Sequence, residues 1–213
     1  MKYSGAGLSR AGSLRSVKST PGPVFSTVRP NGSSLNLIES LRQFDGKRTD
    51  ALEHLNSRLP RNDDTVRQLL AIAEHDDARL QVAATWILKK WLDDGTPPVE
   101  KSAETIVQLL KSAACWEARL HLLQMLVALR IPARSITVLV QQMPDLLADD
   151  NKFVRAWALS VFAQIADQRE EFRPDVNLRI DAAGNDDAAS VLARVRQIQK
   201  RYKWAAETGR TNR

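Results

Sequence analysis

A single cysteine in 213 residues means that no intramolecular disulfide can staple the chain, and three scattered histidines offer no pair at metal-ligand spacing. Cys115 sits in an apolar-periodic stretch, which reads as a small buried hydrophobe in a reducing compartment. His121 follows it by six residues, a spacing that does not put the two on one helical face, so no thiolate and imidazole pair is implied. Also missing are a glycine-rich phosphate loop and a nucleophilic serine between a strand and a helix. No apolar run reaches the length a bilayer requires, and no charged start leads into a compact hydrophobic stretch. These absences argue against a zinc site, a nucleophilic enzyme and a membrane span. They lead to the expectation of a cytoplasmic protein with no metal and no cofactor.

Charge is distributed unevenly. Residues 1–34 hold Lys2, Arg10, Arg15, Lys18 and Arg29 and no acid; residues 194–213 hold seven basic residues and only Glu207. With a net charge of +6 for the whole chain, the intervening body is mildly acidic, at −5. Residues 1–34 are also rich in Ser, Gly and Pro with no sustained apolar period, so they cannot bury enough surface to offset their ordering entropy. That segment is expected to be a disordered basic tail. Its lack of acids equally suits an organelle transit peptide, which would direct import.

From residue 35 to 204 the pattern is helical throughout. Ten candidate helices are expected, near 35–44, 47–59, 64–74, 78–92, 100–113, 116–130, 133–148, 151–167, 173–183 and 187–204, with 205–213 as a short disordered tail. Gly46, Pro60, the loop from Gly95 to Pro98, Pro132, Pro174 and Gly184 punctuate them, and paired aspartates precede several helices as caps. Adjacent carboxylates at helix ends do not face one site, so these pairs are not read as acid-base machinery. Pro144 interrupts the pattern from Ile136 to Leu147 and is expected to kink or split that helix.

A pattern recurs at Arg79, Arg119 and Arg155 and again near Ser190, at intervals of 40, 36 and 35 residues. Ala78, Ala118, Val154 and Ala189 precede these positions, and Val82, Leu122, Ala158 and Ala193 lie three beyond them. Leu192 is the alternative equivalent in the last copy, which makes the final interval 37. Recurrence of this length marks a helical repeat array, in which successive pairs bury one another's apolar stripes. In the last copy the stripe narrows to Val191, Val195, Ile198 and Tyr202, as a capping unit requires.

The stretch Asp150-Asn-Lys-Phe-Val-Arg155-Ala-Trp-Ala-Leu159 resembles the second helix of a HEAT repeat, with its acid, its Val-Arg pair and the aliphatics that come after. The segments from Asp77 and from Glu117 are weaker versions, and the second lacks the aspartate. The resemblance implies an all-α, right-handed solenoid of about five antiparallel helix pairs. It further implies that Arg79, Arg119 and Arg155 serve an ionic ladder between layers, with Asp150 among its acids. Such arrays are expected to act as noncatalytic protein-protein interaction modules. The alternatives are a nucleic-acid binder using the basic termini and a HEAT-like DNA glycosylase for alkylated bases, which would need Trp and Asp together on a basic surface.

Trp86, Trp91 and Trp157 fall on apolar stripes and are expected in the core, whereas Trp116 and Trp204 sit at a helix start and in the basic end. Arg194, Arg196, Lys200, Arg201 and Lys203, with Trp204 beside them, form the one dense basic cluster. They are the candidate binding residues for an acidic protein surface or a nucleic acid. The competing reading is a solvated terminal helix whose cations complement its own dipole.

Overall fold

The computed structural model describes residues 32–206, and every regular element among them is helical. The helices are α1 (Gly32–Leu41), α2 (Asp50–Arg58), α3 (Asp63–Ala73), α4 (Ala78–Asp93), α5 (Pro97–Glu100), α6 (Ala103–Ser112), α7 (Trp116–Ala128), α8 (Ala133–Leu147), α9 (Lys152–Gln168), α10 (Arg173–Ala183), α11 (Ala189–Arg201) and α12 (Lys203–Ala206). Most of the expected tails, residues 1–31 and 207–213, lies outside the described residues. At the inner edges helix extends further than the composition suggests: α1 starts at Gly32, and α12 includes Ala205, which is buried.

The expected loop from Gly95 to Pro98 is partly helical, and the expected helix 187–204 is divided in two. The Pro97-Pro98 pair starts α5 as its own short turn, since proline suits the first helical positions, and α6 begins afresh at Ala103. Tyr202 takes up an extended backbone that separates α11 from α12. Pro144, in contrast, does not split its helix, and α8 runs through it to Leu147. Only one further turn remains beyond it, so a single ladder bond is lost near an end that frays anyway. Asn62, Asp77 and Asn151 cap α3, α4 and α9 by accepting the N–H of Thr65, Arg79 and Phe153. Gly95 ends α4 with φ +72°, a left-handed conformation that any side chain would strain.

α4, α7, α9 and α11 form one series in which each helix packs on the next, and α3, α6 and α8 form a second. Across the two series α3 lies on α4, α6 on α7 and α8 on α9, while α10 packs on both α9 and α11. Leu80, Ala84 and Ile87 of α4, Leu122 and Leu126 of α7, Ala158 and Phe162 of α9, and Val195 and Ile198 of α11 belong to one continuous buried core. Each fully buried aliphatic side chain contributes about 1.5 to 3 kcal/mol. The same core includes Trp91, which is fully buried and donates its indole N–H to Asn56 Oδ1 at 2.6 Å. That bond supplies the partner a buried indole needs.

α11 also settles the alignment of the last copy. Its buried positions are Val191, Val195, Ile198 and Tyr202, and they match buried Ala118, Leu122, Met125 and Leu129 of α7 and buried Val154, Ala158, Val161 and Ile165 of α9. That match holds when Leu192, not Ser190, stands where Arg119 and Arg155 stand.

The arginines divide into two groups. Arg155 grips Asp186 with two N–H groups, each 3.2 Å from a carboxylate oxygen, and donates to the carbonyls of Asp149 and Asp150 at 3.0 and 3.1 Å. Arg119 repeats the device: it pairs with Asp149 and donates to the Ala113 carbonyl at 3.3 Å. Each arginine thus joins the loop before its own helix to the loop before the next. The Arg155 hydrogen bonds also hold the Asp186 carboxyl below the usual carboxylate range. Among the described residues Arg79 has no such link and pairs only with Asp77 at the start of its own helix, at 3.6 Å. The acid that accepts each cross-layer bond, Asp149 or Asp186, stands six residues before Arg155 or Leu192. Six before Arg119 stands Ala113, so no carboxylate there can accept from Arg79. Asp150, expected among the ladder acids, contributes its backbone carbonyl, and Asp149 supplies the carboxylate.

Neutral groups join α4 to α7. Buried Gln81 accepts the Ala114 N–H at 2.8 Å, and the Thr85 hydroxyl lies 3.0 Å from His121 Nδ1. Burial, with Lys89 adding to it, pushes the His121 pKa down to about 4 from an ordinary 6.5. Cys115 is half-buried at the head of α7, and burial pushes its thiol pKa up.

Denaturant unfolding is expected to distinguish these roles. Trp91→Ala lowers it by about 3 to 5 kcal/mol in denaturant unfolding, the usual range for a deleted core aromatic. Arg155→Ala costs about 1.5 to 3 kcal/mol, the range for hydrogen bonds to a charged partner, while Arg79→Ala stays within about 0.5 kcal/mol. The folded state holds His121 neutral and the unfolded chain protonates it more readily. Its contribution is therefore complete above pH 6.5 and is lost as pH falls toward about 4. Unfolding midpoints measured across that window decline for the native chain, and His121→Gln flattens that part of the decline.

Candidate binding site

The basic end does not act as one cluster. Along α11, Ser190, Arg194, Gln197 and Arg201 recur at helical spacing and share one face, while Arg196 and Lys200 fall on another, and Lys203 starts α12 beyond the break at Tyr202. Arg196, Lys200 and Lys203 are exposed and have no ion pair among the described residues. Arg201 lies over the Tyr202 ring, 5.2 Å from its centroid. Trp204 is half-buried: it stacks on Tyr202 with centroids 5.6 Å apart and donates its indole N–H to Asp167 at 3.3 Å. Arg173 lies 5.6 Å from the Trp204 centroid. Trp204 therefore closes the end of the core, fixed by α12 turning back, and is not part of an open cationic surface.

Arg194 stands apart from its neighbours. Its guanidinium carbon is 3.7 Å from the centroid of Trp157 on α9, well inside the range of a cation-π contact. Loss of solvent on that face lowers its pKa below that of a free guanidinium, and it remains charged at neutral pH. Among the described residues, none of its N–H groups donates to a protein acceptor and no carboxylate pairs with it.

This stacked pair forms one wall of a cleft of about 470 Å³ that spans three successive helices. α7 contributes Trp116, Leu120 and Gln124, α9 contributes Phe153 and Trp157, and α11 contributes Ser190 and Arg194. Trp116 and Phe153 are 39% and 41% exposed, and their rings stack with centroids 6.4 Å apart across the α7 and α9 boundary. The Lys152 ammonium lies 5.4 Å from the Phe153 centroid. Among the described residues Arg194 is the one charged residue lining the cleft. The Ser190 hydroxyl, also in the lining, is buried with no hydrogen-bond partner among the described residues.

The periodicity of α9 puts Phe153 and Trp157 on the core stripe, and the structure moves both to its margin. α9 is buried nearly all round because α7, α8, α10 and α11 surround it. Only the arc at its first turns, where Phe153 and Trp157 lie, remains open. The warning in the sequence is the width of that stripe, broader than two flanking helices cover. Trp86 is likewise half-buried, with Lys90 Nζ 5.5 Å from its centroid. Ser190 and Leu120 carry no signal in the sequence, because a small hydroxyl and one more leucine look the same in a core as in a cleft.

Among the described residues no group of three or more His, Cys, Asp or Glu side chains could hold a metal ion. No helix among them is long and apolar enough to cross a membrane. No family model matches the chain, and no curated protein matches it. Among solved structures it is similar to the crystal structure of an engineered protein, a Northeast Structural Genomics Consortium target. The similarity covers 83% of this chain and 81% of that one at 16% identity, with a TM-score of 0.53. At that identity the likeness concerns the helical fold alone.

Proposed function

We propose that the chain is a HEAT-like right-handed α-solenoid acting as a noncatalytic protein-binding module, and that its binding surface is the face shared by α7, α9 and α11. The observation that carries this reading is the pair of exposed, mutually stacked aromatics, Trp116 and Phe153, set beside a guanidinium without a counterion. Large exposed aromatics grouped with arginine are the composition of interface hot spots. The order of packing, α4 to α7 to α9 to α11 with a partner helix on each of the first three, supports the solenoid arrangement. The Arg119 and Arg155 links are of the kind the HEAT resemblance implies.

A second reading rests on Arg196, Lys200 and Lys203. Three exposed cations at one end of the chain, without a carboxylate partner among the described residues, suit contact with a phosphate backbone. A glycosylase would need a carboxylate beside its aromatic residues, and no carboxylate lines the aromatic cleft.

Capture from native extract, with and without nuclease, separates the readings. A partner protein is retained by the full chain after nuclease and is lost with the Trp116→Ala, Phe153→Ala double variant, which changes exposed side chains. Recovery that needs nucleic acid, falls steeply with salt and disappears on Arg196, Lys200 and Lys203→Glu reversal establishes the second reading instead.

A further inference from the structure

The face shared by α7, α9 and α11 has a chemistry specific enough to describe its occupant. Resting on the protein-binding reading of that face, we propose that the cleft docks a short segment of a partner protein presenting an apolar side chain close to a carboxylate. The apolar group would lie against Trp116 and Phe153, and the carboxylate would be held by the Arg194 guanidinium and the Ser190 hydroxyl.

Four observations converge on this occupant. The Trp157 ring covers one face of the Arg194 guanidinium, 3.7 Å away, and none of the N–H groups along its edges is used by the protein among the described residues. A planar fork held flat on an aromatic ring is suited to a bidentate carboxylate, because the stack fixes the plane and leaves the donors outward. Ser190 supplies a buried hydroxyl without a partner in the same lining, so a donor stands ready beside the fork. Among the described residues no acid lines the cleft, and Lys152 stands over Phe153 at 5.4 Å, so the local field favours an anion. The rest of the lining is mostly apolar, with Trp116, Leu120 and Phe153 and one neutral amide, Gln124.

The size of the cleft also selects among occupants. About 470 Å³ takes one or two side chains of a peptide. A nucleic-acid backbone needs a row of cations, and the exposed Arg196 and Lys200 lie on a different face of α11, with Lys203 beyond it on α12. The other large exposed hydrophobic residue, Leu178, stands on α10 away from this lining.

The test is selection of a displayed library of random short peptides on the full chain, then binding of a synthetic representative. The expected result is enrichment of sequences that place Leu, Phe, Met or Trp near Asp or Glu. Their affinity falls about tenfold or more with Arg194→Gln, the cost of removing a charge-assisted pair. Arg194→Lys recovers only part of it, since an ammonium lacks the fork. Replacing the peptide's acid by its amide reproduces the loss, Phe153→Ala weakens binding separately, and Lys200→Glu leaves it unchanged. Enriched peptides with no acidic bias, indifferent to Arg194→Gln but sensitive to Phe153→Ala, overturn this inference while the protein-binding reading stands. Failure to enrich any peptide, or binding indifferent to both substitutions, overturns both. Competition by a single-stranded oligonucleotide at matched ionic strength also overturns the inference and assigns the cleft to nucleic acid.

Discussion

No helix in this chain can cover its own apolar stripe, and the structure depends on that constraint. α9 is the extreme case: Val154, Ala158, Val161, Phe162 and Ile165 would be wet in an isolated pair, and here they are enclosed by four neighbouring helices. Burial on this scale cannot be satisfied locally, so stability belongs to the contacts between layers more than to any single hairpin. The polar features act on top of this seam. They fix how one layer sits on the next, and they decide which side chains are left at the surface.

A single column of the repeat shows how this works. Two residues after Arg79, Arg119, Arg155 and Leu192 stand Gln81, His121, Trp157 and Arg194. Every one of them makes a contact across layers: Gln81 with the loop before α7, His121 with Thr85, and Trp157 with Arg194. The position is thus structurally equivalent and chemically free. At the first steps it carries neutral hydrogen bonds, and at the last it becomes a cation on an aromatic ring that opens outward. A surface with binding chemistry arises here from a position that elsewhere only fastens helices together.

The helical class, most of the helix boundaries and the buried stripe of α11 were legible in the sequence, because they derive from a 3.6-residue period and from breakers such as Pro132 and Gly95. What could not be read was which part of a wide stripe faces a neighbour. Phe153 and Trp157 belong to the same period as Val154 and Val161, and only the arrangement of α7 and α11 around α9 leaves the first two at the margin. The ladder was half legible. The arginines stood out, but their acids were to be sought six residues before the next equivalent position, where Asp149 and Asp186 stand and where Ala113 does not. Trp204 was misplaced for a similar reason: its run of basic neighbours suggests solvent, and the turn at Tyr202 folds it back onto Asp167.

With Ala113 in place of an acid, the step from α4 to α7 lacks an ionic clamp, while the steps from α7 to α9 and from α9 to α11 each have one. The clamped steps are the two that the aromatic cleft crosses. Its three walls are therefore tied to one another by charge-assisted bonds, while the layer before them is fastened by neutral hydrogen bonds. A ligand entering the cleft meets a surface already in register and forfeits little freedom in ordering it.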